Sequence, residues 1–271
     1  MQSLALLNHR TLWVFVHLGA ITAIVMAIFY GYGWWLLTSY LISRVWLIGG
    51  MSIGLHRYFS HKTFTTTPLK HKLICFLSMM AAQGSPIAWA MVHRHHHKYT
   101  DKDHDLHAPK DGIFHAAVTW ALGNPKTWVK EDNLKFTVTD LAKDKVIAFT
   151  DKWYYVFWYS LIAISFLIDW KIAIFLVLAP PGLGYLLDML SINVLFHVPW
   201  TPFGYRNFDI NEKSRNFKWF LWLGLSEGLH NNHHAQPWKA NVAVKKGEFD
   251  ISGWIIDKWF AKEYVGDVKV N

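Results

Sequence analysis

Residues 34–61 read WWLLTSYLISRVWLIGGMSIGLHRYFSH. Trp34 to Leu55 supplies the roughly twenty apolar residues that cross the hydrocarbon of a bilayer, and the run ends on His56 and His61, five apart. Two further clusters, His93-Arg-His-His96-His97 and His230-Asn-Asn-His233-His234, also stand just beyond apolar stretches, with His197 between them. That many imidazoles at a membrane surface point to a metal centre acting on something lipid-like.

Working outward, the composition supports the same class. Of 271 residues 52% are hydrophobic, including 16 Trp, 18 Phe and 11 Tyr. They come in long runs instead of the periodic stripes of a soluble core. One domain over 1–271 accounts for the length. The single cysteine, Cys75, excludes a disulfide framework and any Cys-based zinc or iron-sulfur site within the chain. The apolar run after Met1 to Arg10 lacks a small-residue cleavage pattern and is read as a retained span.

Four stretches qualify as crossings: Thr11 to Tyr30, Trp34 to Leu55, Trp153 to Trp170 and Ile172 to Val198. The first pair is joined only by Gly31-Tyr32-Gly33 and the second only by Asp169 to Lys171, which predicts two tight hairpins. Of 27 Lys and Arg, only Lys171 lies in those connections and only Arg44 deep in a span. The positive-inside rule then places both termini, every clustered histidine and the polar segments 56–152 and 199–271 on the cytoplasmic side. The expected fold is an all-α membrane protein, four transmembrane helices in two hairpins under a cytoplasmic helical cap that holds a His-rich dimetal site. The apolar stretch Leu73 to Met91, interrupted by Gln83-Gly84-Ser85-Pro86, is read as a helix lying in or dipping into the interface, and Phe217 to Leu225 is read similarly.

On a helix each residue turns about 100°, so His93, His96 and His97 share one face, as do His230, His233 and His234. Asn193 and His197, four apart, are nearly aligned. His56 and His61 would point about 140° apart on a regular helix and need a helix end or a kink. Lone histidines are read as surface or satisfied core residues, which covers His9, His17, His71, His104 and His115. The nine clustered ones exceed what one metal takes, since a zinc site closes at about four ligands. Two metals fit, and imidazole alone does not choose among zinc, copper, iron and nickel.

These clusters, in this order and with these spans between them, resemble the membrane-bound fatty acyl desaturases of the delta-9 type, with bacterial and cyanobacterial members nearest in pattern. The match rests on HRYFSH, HRHHH, SEGLHNNHHAQP and Asn193-Val-Leu-Phe-His197, and covers most of the chain. The resemblance implies two irons with His56, His61, His93, His96, His97, His197, His230, His233 and His234 as ligands and Asn193 acting through a water. It implies dioxygen as co-substrate and two electrons to convert adjacent methylenes of a saturated acyl chain into a cis alkene. An unactivated methylene offers neither an acidic proton nor an electrophilic carbon, so the chemistry calls for an oxidant made from dioxygen at a metal, with the protein holding one bond of a featureless chain in place. Trp89 matches a family tryptophan shortly before the second box and is a candidate tunnel residue. Asp101, Asp103, Asp105 and Glu227 are the nearest acceptors for the outer ring nitrogens of metal-bound histidines.

Two departures stand out. Arg44 is a cation inside a span, twelve residues before His56, where charge costs several kcal/mol unless paired or wet. With Ile48, one turn nearer the metals, it would shorten or polarise the tunnel end; the alternative is a structural ion pair with Asp188 or Asp169. Where animal members hold coenzyme A, this chain reads Met91-Val92 and, approximately, Gly123-Asn124, so those contacts are not carried over. The acyl carrier stays open among a lipid, acyl carrier protein and coenzyme A. The net charge of +8 suits anionic headgroups, an acidic carrier or an acidic ferredoxin. With no recognisable cytochrome segment and no GxGxxG fingerprint, electrons are expected from a separate donor such as ferredoxin or cytochrome b5. The remaining partners are membrane lipids, with no nucleic acid, and the expected location is a bacterial inner membrane. Alternatives are a related acyl hydroxylase or acetylenase and, from another class, a membrane metal-binding or transport protein.

Overall fold

The computed structural model describes residues 2–123, 137–198, 203–223 and 227–265, and side chains from residue 8 onward outside 221–226. It is mostly helical. Helix α1 (Gln2–Tyr30) reverses at Gly31, whose φ of +77° favours a glycine, into α2 (Gly33–Ser60). Strand β1 (Phe64–Thr65) leads to α3 (Pro68–Met80) and α4 (Pro86–Tyr99). After residues 124–136 come α5 (Lys145–Ile168) and α6 (Ile172–Leu195). The third histidine cluster forms α7 (His230–Ala235), and residues 251–260 form α8. Strand β2 (Glu263–Tyr264) then pairs antiparallel with β1, a small departure from an all-helical expectation.

Local chemistry sets these boundaries. Thr67 and Ser85 each accept a backbone N–H at the start of α3 and α4, with a proline in the first turn, and Asp144 accepts from Val146 and Ile147 at the start of α5. The stretch Leu73 to Met91 is therefore two helices, not the single interfacial helix its composition suggests. Ala82 and Gly84 adopt positive φ between them, and Ser85-Pro86 starts a new helix. Tyr154 of α5 accepts the Gly84 N–H at 3.0 Å and closes the break. Of Phe217 to Leu225, Lys218–Leu223 forms a short 3-10 turn, and the following residues, like Asn124, lie outside the described ones.

Helix packing rests on small residues, as membrane helices favour. A Cβ at Gly50 or Gly54 would run into Leu77 and Ser78 of α3, and one at Gly19 or Gly182 would close the gap between α1 and α6. Among the described residues, three helices are long and apolar enough to cross a membrane: Asn8–Tyr30, Gly33–Ser60 and Ile172–Leu195. Helix α5 is not among them. Lys145, Asp151 and Lys152 in its first turns and the rings Trp153, Tyr154, Tyr155, Trp158 and Tyr159 lower its hydropathy.

Among the described stretches wound wider than an α-helix, two bear on the histidines. Residues 46–60 and 189–195 carry i→i+5 hydrogen bonding, which continues past the helix ends in His61 N–H to His56 O (3.1 Å) and Phe196 N–H to Ser191 O (2.9 Å). In that wider winding residues five apart come round to the same side of the helix instead of splaying.

Candidate metal centre

The wide winding settles how α2 presents its pair. His56 and His61, splayed on a regular helix, here have ring centroids 5.0 Å apart at the helix end. Helix α4 brings His93, His96 and His97 from an ordinary α-turn, α7 brings His230, His233 and His234, and His197 follows the end of α6. All nine rings are buried or half-buried and converge.

Their Nε2 atoms fall into two groups. In the first, His56, His61, His93, His97 and His233 have ligand atoms all within 4.8 Å of one another. The contacts are His56 to His233 at 2.9 Å, His61 to His93 at 2.8 Å and His97 to His233 at 3.0 Å. In the second, His96, His197 and His234 form a set within the same limit. His230 joins it, its Nε2 3.0 Å from His197 and 3.1 Å from His234.

Behind the rings stand carboxylates. His56 Nδ1 lies 3.0 Å from Glu227, His96 Nδ1 3.0 Å from Asp105, and His197 Nδ1 3.2 Å from Asp101. Asp101 also accepts the Lys213 N–H at 2.7 Å, and Asp105 the Asp101 N–H at 2.9 Å. Burial alone would raise Asp105 and Glu227. The His96 ring outweighs it at Asp105, and His56 with Arg57 at Glu227, so both stay below the usual carboxylate range. A carboxylate at Nδ1 fixes the proton there and leaves the Nε2 lone pair bare.

Burial, and then the neighbouring rings, hold His61, His93, His97, His230, His233 and His234 well below the ordinary imidazole range. They are neutral and in ligand form. Bare nitrogens about 3 Å apart repel unless a cation lies between them. A metal-nitrogen bond of about 2.1 Å at a right angle gives about that nitrogen-nitrogen spacing. The donor set therefore fits divalent first-row metals.

The remaining predicted residues are placed as follows. Trp89 stacks on His93 at 4.5 Å and lies 5.9 Å from His56. Its indole donates to Gln83 Oε1 at 3.2 Å, and the Gln83 amide donates to Asp188. Arg44 is buried, over the Tyr40 ring at 4.7 Å, with Nη2 2.9 Å from Ser43 Oγ. Its acidic neighbour is Asp188, whereas Asp169 accepts the Lys171 N–H. Ile48 packs against the cluster around Ile53 and Ile74, while Leu47, Met51 and Leu55 pack with Trp89 and Phe196. Asn193 is buried and donates to Ala116 O at 3.1 Å. Asp103 is exposed and pairs with Lys110 at 2.6 Å, away from the rings. His9 meets Ala121 O, His17 meets Trp13 O, His71 meets Tyr58 and His115 meets Leu106 O, all apart from the cluster.

Four residues escaped the sequence reading. Glu212 lies 3.9 Å from His197 Nδ1 and 3.8 Å from His234 Nδ1. The His107 ring lies 4.3 Å from His96, and burial, with His96 next, takes His107 down to about 3. Arg57, wholly buried, pairs with Glu227 at 3.3 Å and Asp250 at 2.5 Å. Only Arg57 and His107 carried any signal, by standing inside or beside a histidine cluster.

Comparison with known proteins agrees with this geometry. A fatty acid desaturase family model matches residues 32–244. The delta-9 acyl-lipid desaturase 2 of Arabidopsis thaliana is 30% identical over 82% of this chain and 70% of its own. The sn-1 stearoyl-lipid 9-desaturase of Anabaena variabilis is 28% identical over 88% and 84%. The hex-5-enoyl-[acyl-carrier protein] acetylenase of Moorena producens is 30% identical over 93% and 83%. With that family match over most of its length, and histidines converging in two groups beside the ends of two membrane-length helices, the chain belongs to the fatty acid desaturase family, of the delta-9 type, and is an oxidoreductase that acts as an acyl desaturase.

Proposed function

We propose that two irons are held by the nine histidines, five in the group around His56 and four in the group around His197, and that the product is a cis alkene within a saturated acyl chain. The observation that carries this reading is the division of nine Nε2 atoms into two groups at metal-ligand spacing. When bound, the metals supply the oxidising chemistry with dioxygen and two electrons. The chain's own residues fix the ring tautomers through Asp101, Asp105 and Glu227. The amide N–H of Asn193 is committed to Ala116, so any contact it makes through a water falls to its carbonyl oxygen.

Trp89, stacked on His93, is the residue against which an acyl chain is positioned, and Arg44 with Ile48 closes or polarises the far end of its channel. The substrate is an acyl chain on a lipid or carrier, and a separate donor such as ferredoxin or cytochrome b5 supplies electrons. Residues 1–271 act as one domain, with α5 as a fourth crossing over 153–170, spans 11–30, 34–55 and 172–198 beside it, and segments 56–152 and 199–271 as a cytoplasmic cap in a bacterial inner membrane. Exposed Ile28, Phe29, Leu167 and Ile168 suit lipid contact at the far ends of both hairpins.

Expression in a host without its own desaturase tests the reading. A new double bond in the acyl lipids is expected, with about two irons per purified chain. An added oxygen on the chain instead would make the protein a hydroxylase. The acetylenase relative favours a second reading, in which an existing double bond is oxidised to a triple bond, and feeding an alkenoyl substrate separates the two.

A further inference from the structure

The two groups of rings are backed by different charges. Behind the five-ring group the nearest carboxylate is Glu227, and its charge is matched by the Arg57 guanidinium at 3.3 Å. Behind the four-ring group stand three: Asp105 on His96, Asp101 on His197, and Glu212 near both His197 and His234. Among the described residues none of these three pairs with a lysine or arginine. Glu212 is held in place by Ser214, whose backbone N–H it accepts at 2.8 Å.

A carboxylate behind a ligand histidine raises the basicity of that ligand and orients it. Three carboxylates close to the outer ring nitrogens, with no lysine or arginine in salt-bridge contact among the described residues, also stabilise positive charge at the metal position they surround. We infer that the two metal positions are inequivalent: the one within His96, His197, His230 and His234 binds its ion more tightly and holds it ferric at a lower potential. Glu212 is the positioning residue of that half, because its charge lies 3.9 Å and 3.8 Å from the outer nitrogens of two ligands that come from separate parts of the chain.

The inference rests on the dimetal reading above, and iron uptake separates the two. Ferrous iron is titrated anaerobically into the metal-depleted full-length protein. The expected curve shows two ions per chain in two affinity classes at least tenfold apart. Glu212→Gln is expected to weaken the tighter class by about 10- to 100-fold and leave the weaker class unchanged, with Glu212→Asp recovering most of the loss. Half-reduced wild-type protein should give Mössbauer signals of one ferrous and one ferric ion in distinct environments, a readout that needs no variant. Two equal sites, reduction of both ions together, or a Glu212→Gln defect confined to the weaker class would overturn the asymmetry while leaving two irons in place. Uptake of fewer than two ions by wild-type protein would overturn the dimetal reading itself and the inference with it.

Discussion

The end of α2 and the short helix α7 both deliver histidines to the centre, but they are anchored by different chemistry. Behind His56 stand a few buried charges: Glu227, Arg57 and Asp250, with Arg57 also donating to Ala240 O at 2.6 Å. Behind His230, His233 and His234 stand mostly neutral amides. Asn231 accepts the N–H groups of Asn207 and Phe208, Asn232 bridges Asn207, Asn216, Val242 and Glu248, and Glu248 also accepts from Tyr205. A charged anchor with few members fails all at once when one is removed, because the others become unpaired buried ions. An amide anchor with many members loses one hydrogen bond at a time and can partly re-pair. The lesson concerns what each half tolerates: the α2 side depends on single residues, the α7 side on a network.

The largest effect expected from this contrast is at Arg57. Arg57→Met leaves Glu227 and Asp250 buried without their cation, at a cost of about 3–5 kcal/mol, which lowers the unfolding midpoint by on the order of 10 °C in a chain of this size. Thermal unfolding of purified protein in detergent reads this directly. A wild-type midpoint in the variant would remove the distinction between the two anchors.

A smaller loss is expected at Asn232, which is wholly buried. Asn232→Ala strands the Asn216 amide, while Asn207 keeps its bond to Glu248, so about 2 kcal/mol is lost. Iron content should drop only partly, since α7 keeps the bonds made by Asn231. If iron binding vanished in this variant while Arg57→Met kept it, the ranking of the two anchors would be reversed.

How far the sequence made these anchors legible follows from the range of the interactions. The family, the enzyme class and the gathering of the imidazoles were legible, because helical periodicity and span length act over a few residues. His93, His96 and His97 lie on one arc at α spacing, and Asp105 lies close enough in sequence to meet His96. The α2 pair was not so legible. A five-residue spacing states that a regular helix cannot serve, but nothing local says that it is met by i→i+5 winding over residues 46–60. The break at Ala81 to Ser85 was visible as Gln-Gly-Ser-Pro, yet hydropathy averaged over it and suggested one helix. Asp250 and Glu212 reach the site only through tertiary folding, with Asp250 meeting Arg57 across almost two hundred residues, and no pattern in a single chain announces them. Arg44 was conspicuous as a charge in a span, but that Asp188 of α6 is its acidic neighbour, and not Asp169, depended on how α2 and α6 pack.

The smallest effect sharpens the comparison through pH. Burial alone would raise the Glu248 carboxyl above its ordinary 4.5, but the N–H groups of Lys245 and Val244, with Tyr205 and Asn207, outweigh it and bring it down to about 2. A carboxylate whose folded value lies below its unfolded value stabilises the fold above the unfolded value. That contribution is then lost as pH falls from about 4.5 toward 2. Glu248→Gln keeps an acceptor oxygen but has no charge to lose. Wild-type protein should therefore unfold at a slightly higher temperature than Glu248→Gln between pH 7 and 5, with the gap closing below pH 4.5. The gap is small because Glu248 is partly exposed and water screens it. A gap that widened on acidification would mean that Glu248 is not held as the anion, and the α7 anchor would then be wholly neutral.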